Sequence, residues 1–134
     1  MNQRIARLRE QHDGLRALAD TYERELARPE PDLAALARCR WTLARLASSH
    51  FAYERAFLYG ELARRDISAQ ALAINLSELS DRLDRHVRQW TQAAITDDWQ
   101  AYGQASRALI GQLRTHMDRE DQEVLPLLDQ AKSA

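Results

Sequence analysis

Two short stretches hold the residues best suited to chemistry. In HFAYERAF, His50 and Glu54 stand four residues apart, and in HMDREDQEVLPLL, His116 and Glu120 repeat that spacing. On a helix, residues four apart share a face, one turn above the other. An imidazole and a carboxylate placed this way aim a nitrogen and an oxygen at neighbouring points, as the ligands of a transition-metal ion must. One such pair arises easily by chance, or as a surface pair worth a few tenths of a kcal/mol. Two pairs, each set within an otherwise apolar stripe, call for a common explanation.

Holding them in place requires helices, and the apolar spacing is helical throughout, with no period of two. Ile5, Leu8, His12, Leu15, Leu18, Ala19, Tyr22 and Leu26 form a first stripe, broken by RPEPD at 28–32, where Asp32 is suited to cap the next helix. The second stripe includes Leu36, Cys39, Leu43, Leu46, His50, Tyr53, Glu54, Phe57 and Leu58, and RRDIS at 64–68 forms a second joint. Leu72, Leu76, Leu79, Leu83, His86 and Trp90 make a third stripe, which the spacing ends around TDD at 96–98. The last stripe carries Trp99, Tyr102, Ser106, Leu109, Leu113, His116, Glu120, Val124 and Leu127, with Pro126 expected to kink or end the helix. Four amphipathic helices on short joints predict an all-α, antiparallel, up-down-up-down four-helix bundle, in one domain covering residues 1–134.

Do the polar positions meet? Let the first and third joints mark one end of the bundle. His12 then falls about 15 residues along its helix, His50 and Glu54 about 18 and 22, and His116 and Glu120 about 19 and 23; at 1.5 Å per residue these levels agree to within about 10 Å. Three imidazoles and two carboxylates near one depth are too polar to bury without a partner. His86 lies only about 9 residues down, about 12–15 Å above the others, and stays a candidate ligand. At the matching depth the third helix offers Asn75, Glu78 and Ser80 instead.

The rest of the composition narrows the classes. A chain of 134 residues with 45% apolar and 29% charged residues suits one globular core. A net charge of −1 offers no basic field for nucleic acid or an anionic membrane. Cys39 is the single cysteine, which excludes a disulfide or thiolate cluster within the chain and fits a reducing compartment. No apolar run reaches the length of a membrane span, and the polar N-terminal stretch has no signal-peptide pattern, so a cytoplasmic protein is expected. Imidazole with carboxylate suits iron, zinc or manganese. The Glu-x-x-His pattern of ferritin-like bundles is absent.

The chain resembles the hemerythrin-like, or HHE cation-binding, family over almost its whole length. The resemblance is carried by QHDGLRAL, HFAYERAFLY, DWQAY and the closing HMDREDQEVLPLL. It implies a hemerythrin-like bundle with a non-haem di-iron centre, in which His12, His50 and His116 are terminal ligands and Glu54 and Glu120 bridge. A mononuclear iron, zinc or manganese site is the leaner version. The family further implies O2, nitric oxide or peroxide as the small ligand, in sensing, redox or iron binding. A small di-iron enzyme acting on peroxide or nitric oxide is an alternative, and so is a bundle that has lost its metal. Oxygen-carrying members use five histidines, two of them on the third helix, whereas this chain has four in all.

Overall fold

The structure, a computed structural model, describes residues 2–133, and side chains for residues 3–129. Every regular element among them is helical. Helix α1 spans Asn2–Leu26. Helix α2, Leu33–Tyr53, starts where the Asp32 carboxylate accepts from the Ala35 amide at 3.1 Å. It runs without a break through a π turn, Glu54–Leu58, into α3, Tyr59–Arg64. Asp66 takes a left-handed φ of 56° in the following joint, a conformation that Asp tolerates better than most residues. Helices α4 (Gln70–Gln89), α5 (Gln92–Asp97) and α6 (Trp99–Arg119) follow. A second π turn, Glu120–Val124, joins α6 to α7, Leu125–Ser133.

Two expectations are corrected. The third helix ends at Gln89, well before TDD, because Thr91 starts a separate short helix by accepting from the Ala94 amide at 3.2 Å. Asp98 then caps α6 through the Ala101 amide at 3.0 Å. Thr and Asp each offer the backbone a local hydrogen bond that competes with continued helix. Of the two outcomes expected at Pro126, ending the helix is not what happens, since the helix continues to Ser133. The proline is the second residue after the π turn, where the hydrogen-bonding register is already changing back, so its missing N–H costs less there.

Contacts fix the order in which the helices lie side by side. Helix α1 packs on α2 and on α6, and α4 packs on α2 and on α6. Along α1 and α6, Arg16 pairs with Asp118, Asp20 with Arg114, and the Leu26 carbonyl with Arg107. Residue numbers therefore rise along one helix as they fall along the other. The same reversal joins α2 to α4, where Arg40 donates to the Val87 and Trp90 carbonyls and Tyr59 to that of Leu72.

The apolar core is in two parts. One gathers Leu15, Tyr22, Leu43, Ala47, Leu76, Ile110 and Leu113 with their neighbours. The other holds Ile5, Leu8, Phe57, Leu58, Leu62, Val124, Leu125 and Leu128. His12 falls between Leu8 and Leu15, Glu54 between Ala47 and Phe57, and Glu120 between Leu113 and Val124. The polar residues are thus a layer between two apolar masses. Leu58 is fully buried in the second of these. Replacing it with Ala should lower the unfolding free energy by about 2–5 kcal/mol, measurable by urea denaturation.

Candidate metal centre

The polar layer is dry. His12, His50, Glu54 and Glu120 are at most 1% exposed, and His116 is 9% exposed. Three of the long helical rods supply them. The His12 Nε2 stands 3.0 Å from Glu120 Oε1, and the His50 Nε2 is in contact with Glu54 Oε1. His116 also approaches both carboxylates, its Nε2 3.3 Å from Glu54 Oε2 and 3.4 Å from Glu120 Oε1. The His12 and His50 rings meet edge to face at 4.8 Å. The Phe51 ring, part of the larger apolar mass, packs 5.9 Å from the ring centre of His50 and 6.2 Å from that of His116.

A further set of groups fixes two of the imidazoles. His12 Nδ1 bonds to Asp121 Oδ1 at 2.7 Å, and Arg16 holds the other Asp121 oxygen at 2.7 Å. His50 Nδ1 bonds to Gln11 Oε1 at 2.7 Å. With an acceptor on each Nδ1, the proton sits there and Nε2 is left to face the carboxylates, the tautomer that metal-ligating histidines need. His116 has no such partner on Nδ1 among the described residues. Sequence reasoning missed Asp121, Gln11 and Arg16. Their only signal was adjacency, Gln11 beside His12 and Asp121 beside Glu120.

The electrostatics show how much these groups need a counter-charge. Burial lowers the His50 pKa, but the carboxylates of Glu120 and Glu54 outweigh it and hold the pKa up at about 9. His116 is likewise raised against its burial, by Glu54 and Glu120. Burial opposes ionisation of Glu54, yet hydrogen bonds from His116 and His50 hold its carboxyl far below the usual range. Protons on imidazole can thus neutralise the carboxylates, and a cation that displaces them can do the same.

A cation fits what is there. Glu120 Oε2 is buried with no hydrogen-bond partner, a costly state unless something else meets it. One donor atom from each of His12, His50, Glu54 and Glu120 lies within 4.8 Å of all the others. Donors at about 2.0–2.2 Å from an ion stand up to about 4.4 Å apart across it, so a slight contraction closes the shell.

His86 is not part of this group. Its Nε2 is 3.0 Å from Ser106 Oγ and its ring stacks on Tyr102 at 5.5 Å. Ser106 precedes His116 by ten residues on the same helix, about 15 Å of rise. Burial, then the nearby Arg40, lowers the His86 pKa to about 4.

The arrangement is that of a helical protein with a buried histidine–carboxylate cluster whose donor atoms could hold a cation. The hemerythrin HHE cation-binding domain profile matches residues 3–128, and the chain belongs to that family. No curated protein and no solved structure gives a match. No helix among the described residues is long and apolar enough to cross a membrane.

His86 makes a prediction on pH. Its folded pKa is depressed below the unfolded 6.5, so the folded chain binds fewer protons between pH 6.5 and about 4. The stability due to neutral His86 is complete above pH 6.5 and is lost as pH falls toward 4. In denaturation curves across that window, His86→Asn should lose less stability on acidification than the parent chain does.

Proposed function

We propose that the chain is a non-haem iron protein, most simply di-iron, that binds or senses O2, nitric oxide, peroxide or iron rather than carrying O2. The observation that carries this is the buried cluster itself, with the unpartnered second oxygen of Glu120. In this reading the chain is one domain, an up-down-up-down four-helix bundle of hemerythrin type. The reversed contact order along α1 and α6 and along α2 and α4 supports that topology. It works in the cytoplasm, where Cys39 stays a free, buried thiol.

His12 and His50 would ligate on one side of the carboxylates and His116 on the other, with Glu54 and Glu120 shared between two ions. Iron held there would supply one-electron redox chemistry and affinity for diatomic gases and peroxide. The protein's own share is to keep the ligands dry, to fix two tautomers through Asp121 and Gln11, and to exclude water with Phe51. A carrier reading is disfavoured because the α4 histidine, His86, is spent on Ser106 and Tyr102.

Protein from iron-supplemented cells should contain iron by elemental analysis, and His50→Ala or Glu120→Ala should abolish most of it. Iron near zero in the parent chain, from aerobic and anaerobic preparations alike, would overturn the reading. Asp121→Ala should leave the site formed but weaken iron affinity by about 10–100-fold, read from competition with a chelator.

A further inference from the structure

The centre is uneven. His12 and His50 are each anchored through Nδ1, while His116 has no such anchor among the described residues. Three neutral imidazoles and two carboxylates also leave a pair of divalent ions with two positive charges uncompensated. A further anionic ligand is wanted, and on the His116 side.

The register of α4 against α6 shows where it could come from. The His86–Ser106 hydrogen bond sets these two helices level at that point. Because residue numbers run in opposite directions along them, ten residues further along α6 is His116 and ten residues back along α4 is Leu76. Leu76 is buried core, but Asn75 and Glu78 flank it, and both line a cavity of about 490 Å³ that His116 also lines. Glu78 lies two residues above this level, and helical side chains lean toward the N-terminus of their own helix. Glu78 is exposed at the mouth of this cavity, and that lean carries its carboxylate toward the depth of His116.

Glu78 is also uncommitted. It has no ion pair or hydrogen bond among the described residues, although Arg119 borders the same cavity. Gly111 adds to the room, since a Cβ there would meet nothing within 4 Å. We propose that Glu78 is a carboxylate ligand from α4 for the ion on the His116 side, entering from this cavity and replacing the imidazoles that oxygen-carrying relatives place on their third helix. This inference rests on the di-iron reading above and adds a residue to it.

The test is the metal content of the full chain, loaded anaerobically with ferrous iron and then washed, for the parent, Glu78→Gln, Glu78→Ala and the control Asp81→Ala. Asp81, exposed like Glu78 on the same helix, does not line the cavity, and far-ultraviolet circular dichroism of the iron-free proteins checks folding. The expected result is two irons per chain in the parent and the control, and about one in both Glu78 variants. A Glu78 variant that keeps two irons and releases them to a chelator at the parent rate overturns the assignment and leaves the di-iron reading standing. One iron in the parent overturns the assignment and the second ion while leaving metal binding intact. No iron in the parent overturns both.

Discussion

A carboxylate taken out of water must find a positive partner or give up its charge. Glu54 and Glu120 are almost wholly buried, and they sit where the bundle is narrowest in polar options, between two apolar clusters. The rest of the site follows from that constraint. Three imidazoles surround the two carboxylates, and the pKa values of His50 and His116 are held up against the burial that pulls them down. Without a stabilising counter-charge the layer would be a fault across the core. With one, it ties α1, α2 and α6 to a common point.

The support for that layer is graded. Asp121, itself clamped by Arg16, and Gln11 each accept from the far nitrogen of a ligand candidate, so the α1 and α2 imidazoles have little freedom to turn. Large rings and the apolar masses on either side limit water. On the α4 face the wall is different, with Asn75 and Glu78 facing a cavity rather than filling it. The layer is thus dry throughout, with its imidazoles anchored on the α1 and α2 side and a polar cavity bordering His116 on the other.

Much of this architecture was legible in the chain. Helical periodicity located the long helices and the first two joints, and counting residues along them brought His12, His50, Glu54, His116 and Glu120 to one depth. The same arithmetic set His86 apart, because rise per residue is nearly constant whatever the side chains do. Other features depend on tertiary partners or on local competition that spacing does not reveal. The third joint began early because Thr91 prefers to bond its own backbone. Asp121 and Gln11 carry no signal of their own in the sequence, since their role exists only once helices from distant parts of the chain pack together.

Both rods that carry a His-x-x-x-Glu pair open into a π turn at the glutamate itself, with the Glu54 carbonyl bonded to the Tyr59 amide and the Glu120 carbonyl to that of Leu125. Such a turn takes in one residue more than its α counterpart, so everything beyond it is rotated by about 100° relative to an unbroken helix. The far ends of the two rods therefore carry the same angular offset, introduced at the same storey. Straightening one rod alone would swing Leu58 and Leu62, or Leu125 and Leu128, out of the apolar cluster that the two far ends now share.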